Sequence, residues 1–188
     1  MYKKPAKREP RKPKKISKTY LENATLYYLE RYATSAANLR RVLLRKVKRS
    51  CDFHKLDASE FTDMVDELIK RYVEVGLVDD ISYALARVNS FRRKGLGRQA
   101  IISKLRIKGL SIEQIETAMA EVDEEHEEPE LVAALAYIKR KKLGPYRTKP
   151  FSDDPTKDKQ KELASLARAG FSYEICQKAL NVDIDDLI

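Results

Sequence analysis

Cys51 and His54 stand close together in the chain, and His126 is the only other histidine. A structural zinc site needs four ligands. Cys176, the second of the two cysteines, lies far from this pair and shares no short-range pattern with it. The residues predict no metal centre, and the cysteines read as reduced thiols of a cytosolic protein, not a disulfide framework. Gly95 and Gly97 have the look of a phosphate loop, but no GK[ST] follows and no strand precedes them, so nothing there would cradle a nucleotide. Carboxylates are plentiful, yet none is paired in an apolar run that would tune it as a general acid. The expectation is a non-enzymatic protein with no catalytic residue, metal or cofactor.

Positive charge is the resource the chain does have. Its formal net charge is +9, which favours a polyanionic partner. Arg92, Arg93, Lys94, Arg98, Lys104, Arg106 and Lys108 cluster in the middle of the sequence. Arg40, Arg41, Arg45 and Lys46 form an earlier group, and Lys139, Arg140, Lys141 and Lys142 a later one. Acids are grouped as well. Asp79 and Asp80 suit the first turn of a helix, where the dipole favours negative charge. Glu121, Asp123, Glu124, Glu125, Glu127, Glu128 and Glu130 read as a helix end, a linker and the start of another helix.

The elements that position these charges are helices. Of 188 residues, 43% are hydrophobic and 36% charged, with no Trp; Ala, Leu, Glu, Lys and Arg dominate, and all favour helix. No segment approaches the roughly 20 apolar residues of a membrane span, and no apolar stretch follows the N-terminal charges as in a secretory signal; a soluble, cytoplasmic protein is expected. Residues 1–18 carry dense Lys and Arg interrupted by Pro5, Pro10 and Pro13. They predict a disordered basic arm, which either adds affinity for a phosphate backbone or is a solvated tail. Leu26, Leu29 and Ala33 then mark a helix, Ser35 a cap, Leu39, Val42 and Leu43 a second short helix, and Val65, Leu68, Ile69 and Tyr72 a third. Such shallow stripes are stable only when packed on neighbours.

An internal repeat organises the rest. Leu105 to Met119 reads LRIKGLSIEQIETAM and Leu166 to Leu180 reads LARAGFSYEICQKAL. Upstream, Ala84-Leu85-Ala86 resembles Ala134-Leu135-Ala136, and Leu96-Gly97 resembles Leu143-Gly144. Gly109 and Gly170 suit the left-handed residue that stops a helix, with Leu110 and Phe171 folding back on Leu105 and Leu166; Gly76, Leu77 and Tyr72 offer a third instance. Ser111 predicts an N-cap with Gln114 closing a capping box, whereas Ser172 caps without one, since Ile175 cannot reciprocate. Short helical units in series predict an all-α fold of tandem three-helix repeats in an elongated, curved array. The boundaries read as 19–78, 79–125 and 126–188, the last with a loop inserted at 145–155.

At this level the chain resembles the RecX family. Gly76 to Asp80, Tyr83-Ala84, Arg92 to Gly97 and Leu105 to Gly109 are similar to that family's core motif. Tyr28-Leu29, Arg31 and Leu39 to Leu43 are similar to its first repeat, and Gly170 to Glu174 with Ala179-Leu180 to its third. The resemblance implies a regulator without an enzymatic reaction that lodges in the groove of the RecA–DNA filament, and a monomer is expected. It would dampen the recombinase's ATP hydrolysis, strand exchange and co-protease activity. The implied contacts are Arg93, Lys94, Arg98 and Lys104, and the candidate partner-binding set is completed by Arg40, Arg41, Arg92 and Lys108. Single- or double-stranded DNA is a further candidate partner through the basic face and arm. The rival reading is a stand-alone basic nucleic-acid-binding protein. The arm, the 145–155 loop and Asn38, where an acid is expected, depart from the family pattern.

Overall fold

In the computed structural model, residues 12–183 are described, and their regular elements are α1 (Lys18–Leu29), α2 (Ala36–His54), α3 (Thr62–Glu74), α4 (Asp80–Arg93), α5 (Arg98–Arg106), α6 (Ile112–Asp123), α7 (Pro129–Lys141), α8 (Pro155–Arg168) and α9 (Tyr173–Leu180). Two short 3-10 turns, Ser59–Phe61 and Gly144–Tyr146, complete them. The all-α expectation is met. No helix among the described residues is long and apolar enough to cross a membrane. The chain divides into two compact units, Met1–Val78 and Asp79–Ile188.

In the first unit, α1, α2 and α3 enclose Leu21, Leu39, Leu43, Val47, Cys51, Val65, Leu68 and Tyr72. The expected stripe on α1 is displaced. Leu21 and Thr25 are the buried positions, Leu26 is 47% exposed, and Ala33 follows the end of the helix. A threonine is admissible in this core because its hydroxyl donates back to the Leu21 carbonyl at 2.7 Å, leaving the donor satisfied. Ser35 caps α2 as expected, accepting from the Asn38 N–H at 3.2 Å. The helix is not short, however. It runs 19 residues, past the basic stretch, because Val47, Ser50 and Cys51 continue the buried stripe. Asn38 earns its place through its amide, which donates to Thr34 Oγ1 at 2.8 Å and Tyr28 Oη at 3.4 Å; an ionised carboxylate has no donor to offer there.

The expected arm is corrected over 12–18, and residues 1–11 lie outside the described residues. Ile16 is buried in the first core, Ser17 caps α1 and Lys18 begins it. Two polar anchors add to this apolar one. Ser50 Oγ donates to the Lys14 carbonyl at 2.7 Å, and His54 Nε2 lies 2.9 Å from the Pro13 carbonyl, so that nitrogen is the donor. Proline spacing argues against helix but not against an extended strand of backbone fastened to a neighbour.

The second unit contains α4–α6 and α7–α9, with a core cluster in each set. The helix stops repeat with little variation. The N–H of Leu96 reaches back to the Phe91 carbonyl, Leu110 to Leu105, Leu143 to Ile138 and Phe171 to Leu166, all at 3.0–3.4 Å. The residue before each is left-handed: Gly95, Gly109, Lys142 and Gly170. This is the bond that closes a Schellman turn. The third instance expected from sequence, at Gly76, is one residue longer. Val78, not Leu77, is buried and bonds to the Tyr72 carbonyl at 3.0 Å, while Leu77 is 54% exposed. At Ser111 the capping box forms with both bonds, 2.8 and 3.1 Å. Ser172 accepts from the Ile175 N–H at 3.3 Å without a return bond.

Glycine is required where the two halves of this unit meet. The Gly97 N–H donates to the Ala169 carbonyl at 2.9 Å, and the Gln99 N–H to the Gly170 carbonyl at 3.3 Å. A Cβ on Gly97 would collide with the Gly170 carbonyl, and one on Gly170 with the Ala100 amide. The loop at 145–155 is fastened too. Arg147 binds Glu162 at 2.7 Å and lies over the Phe151 ring at 4.1 Å, and the Ser152 N–H donates to Asp158 at 2.8 Å.

Candidate partner-binding surface

The candidate cations fall on different elements. Arg40 and Arg41 belong to α2 in the first unit. Arg92 and Arg93 end α4, Lys94 caps it, Arg98 and Lys104 lie on α5, and Lys108 follows that helix. Ending a helix with Arg and Lys is favourable, because its last carbonyls carry partial negative charge. That suffices to explain why some of these charges sit where they do.

Arg92 is engaged within the fold. Its side chain is only 10% exposed. The guanidinium grips Asp123 with two bonds of 2.9 and 2.5 Å, donates to the Leu96 carbonyl at 3.3 Å, and bonds Glu130. Burial disfavours its charge, but the bonds to Asp123 and Glu130 outweigh this and raise its pKa. A guanidinium offers five donors in a fixed fork, so one residue ties α4 to the end of α6 and the start of α7. Glu130 also accepts from the Arg98 N–H at 3.0 Å. Its carboxylate therefore lies against the N-terminus of α5, where the helix dipole favours an anion. Asp123 and Glu130 thus have structural work, in line with the reading of the acidic run as helix ends and linker.

Two further candidates are partly engaged. Arg40 makes a bidentate pair with Asp66 at 2.6 and 2.9 Å, and Arg98 pairs with Glu116 at 2.5 Å. Both pairs are about half-exposed at the arginine, a setting in which such pairs contribute little to stability. Arg41 is exposed and Lys108 half-buried. Arg93, Lys94 and Lys104 are exposed and make no ion pair with a described residue. Arg98 and Lys104 are six positions apart on α5, about 240° around the helix. They flank the buried Ile101 and Leu105 from opposite sides and do not make one continuous face.

Sequence reasoning passed over one grouping. Lys12, Lys14, Lys46 and Arg49 surround a single cleft of the first unit. The basic run on α2 was legible, but nothing in the spacing says that 12–14 lies beside it. No group of His, Cys, Asp and Glu among the described residues is arranged to hold a metal ion.

Comparison with known proteins adds a family to this geometry. Residues 79–119 match the family model described as RecX, second three-helix domain, a span that begins at the Asp79 cap and includes α4, α5 and most of α6. Regulatory protein RecX of Myxococcus xanthus is 41% identical over 174 residues, 93% of this chain and 91% of its own. Regulatory protein RecX of Agrobacterium fabrum is 27% identical over 168 residues, covering 89% and 85% of the two chains. That of Mycobacterium leprae is 32% identical over 144 residues, 74% and 79%. Identity that extends through all three helical sets, and not only the matched middle one, places the chain in the RecX family of regulatory proteins.

Proposed function

We propose that this protein binds the RecA recombinase filament and restrains its ATP hydrolysis, strand exchange and co-protease activity, acting in the cytoplasm as a monomer without a reaction of its own. The carrying observation is similarity to RecX regulatory proteins along nearly the whole chain. In this reading Arg93, Lys94 and Lys104 are the leading contact residues. They are exposed cations of the segment that matches the family model, and their charges are not spent on internal pairs. Arg41, Arg98, Arg40 and Lys108 are secondary contacts, the first by its exposure and the others after rearrangement of what they already touch.

Replacing Arg93, Lys94 and Lys104 together with Glu tests the reading. Exposed substitutions usually alter stability by within about 0.5 kcal/mol each, so far-UV circular dichroism should be unchanged. Charge reversal at a complementary interface weakens association strongly. The wild type should slow recombinase ATP hydrolysis on single-stranded DNA at substoichiometric amounts, and the triple variant should not. Pull-downs against bare DNA, recombinase alone and recombinase–DNA filament separate this function, which predicts a preference for the filament, from that of a stand-alone nucleic-acid binder, which would hold bare DNA and filament equally tightly. Unchanged hydrolysis at one equivalent of wild-type protein per recombinase monomer would falsify it.

A further inference from the structure

The first unit contains a cleft of about 340 Å³ between the 12–14 segment, the start of α1 and the middle of α2. Lys12, Lys14, Lys46 and Arg49 line it, together with Pro13, Tyr20 and Ser50, and no acidic residue among the described residues does. None of the four cations makes an ion pair or hydrogen bond through its side chain with a described residue. Four uncompensated positive charges around one small space repel one another. The fold nevertheless holds one wall of the cleft against another. Ser50 Oγ binds the Lys14 carbonyl, His54 Nε2 binds the Pro13 carbonyl, and Ile16 is buried just beyond. The approach of Lys12 and Lys14 to α2 is thus built from neutral contacts that act against the charge.

A different arrangement prevails in the third helical set. There Lys141, Lys142, Arg147, Lys149, Lys161 and Arg168 line a hollow together with Asp158 and Glu162, and two of those cations, Arg147 and Lys161, are held in ion pairs with the acids. In the first-unit cleft no cation is paired with a described residue, which leaves all four available to an anion from outside. Tyr20 narrows the chemistry further. It is half-buried against the core and also lines the cleft, which puts an aromatic ring beside the cations. Phosphate-binding cations next to an aromatic face are the means by which proteins hold an unpaired nucleotide, with the base on the ring and the backbone on the charges.

We infer that this cleft is a binding site for single-stranded nucleic acid, with a backbone phosphate held by Lys12, Lys14, Lys46 and Arg49 and a base against Tyr20. The inference concerns bare nucleic acid and does not depend on the recombinase reading. In a duplex the bases are stacked on each other and cannot reach the ring, so single strands are preferred.

The test compares two pairs of exposed cations on the same helix, Lys46→Ala with Arg49→Ala in the cleft, and Arg45→Ala with Lys48→Ala outside its lining. Both double variants lose the same charge. Binding of a fluorescent oligothymidine to the full-length protein is followed by anisotropy across a salt series, with circular dichroism as the check on folding. The cleft pair should weaken binding about tenfold and lower the log–log salt slope by about 1.4, or roughly 0.7 per lost single-strand contact. The outer pair should change affinity less than about threefold. Tyr20→Leu, which keeps an apolar side chain against the core, should weaken oligothymidine binding roughly tenfold through lost stacking. Equal weakening by the two pairs would mean a diffuse field and would overturn the site. So would absence of wild-type binding at low salt, or a hairpin duplex bound as tightly as the single strand.

Discussion

The amide of Gly97 donates a 2.9 Å hydrogen bond to the carbonyl of Ala169, joining two consecutive helical sets through residues more than seventy positions apart in sequence. Backbone meets backbone there because neither Gly97 nor Gly170 carries a side chain. Gly97→Ala would drive a methyl group into the Gly170 carbonyl and the Phe171 amide. Neither neighbour is a flexible side-chain end, so the turn must shift. Thermal denaturation should show a loss of about 1–3 kcal/mol, as for other overpacked sites. Gly76→Ala makes a comparison free of collision, since nothing lies within 4 Å of its Cβ position and only the left-handed backbone opposes it.

Arg92→Ala should unfold the protein more readily than any neighbouring substitution. It strands Asp123 and Glu130 beside each other without their shared cation. Breaking a fully buried pair costs about 3–5 kcal/mol; Glu130 is 26% exposed, and solvent lowers the figure to on the order of 2–3 kcal/mol. Arg92→Lys should recover only part of it, since an ammonium lacks the fork that serves two carboxylates. Arg93→Ala, one position along, should leave the urea midpoint within error.

Lys142 occupies a left-handed conformation, φ 55°, at the stop that Gly95 makes in the preceding helical set. A side chain there is disfavoured by roughly 1–2 kcal/mol, and glycine's greater freedom in the unfolded chain offsets part of that gain. Lys142→Gly should therefore stabilise the protein by about 1 kcal/mol, measured as a rise in the urea midpoint without a change in slope.

Acid should weaken two defined places. The Asp79 carboxyl is held below the usual carboxylate range by the Ser82 hydroxyl and by the Ser82 and Ile81 N–H groups. Asp158 is held well below it by the Ser152 N–H and by Lys161. A carboxyl with a depressed folded pKa contributes stability that is fully present above its unfolded value, near 4, and disappears as pH falls through the folded value. Denaturant midpoints should be flat with respect to these groups above about pH 5 and should decline below about pH 4. In Asp79→Asn the part of that decline due to the α4 cap should be missing.

Local grammar was the most legible part of the structure. Ser35, Ser111 and Ser172 announced caps, and Gly109 and Gly170 announced stops, because each is settled by a few adjacent residues. The stop at Gly76 was misplaced by one position, since an extra residue in the turn leaves the composition unchanged but moves burial from Leu77 to Val78. Long-range matters were harder. That Arg92 faces inward follows from where Asp123 and Glu130 arrive in space, 31 and 38 positions away. In sequence it is indistinguishable from exposed Arg93. Likewise the packing of Ile16 and the anchoring of Pro13 and Lys14 depend on Ser50 and His54, whose distance along the chain conceals the contact.

The Arg92 fork has a consequence for exchange of amide hydrogens. Asp123 and Glu130 are its partners, and both lie beyond residue 119, where the match to the second three-helix domain ends. Opening that domain alone would break the fork, release the Arg98 amide from Glu130 and expose the Gly97 amide now held by Ala169. The slowest amides of α4 should therefore exchange together with those of α7, on one protection plateau, and a peptide cut at residue 119 should lose that plateau altogether.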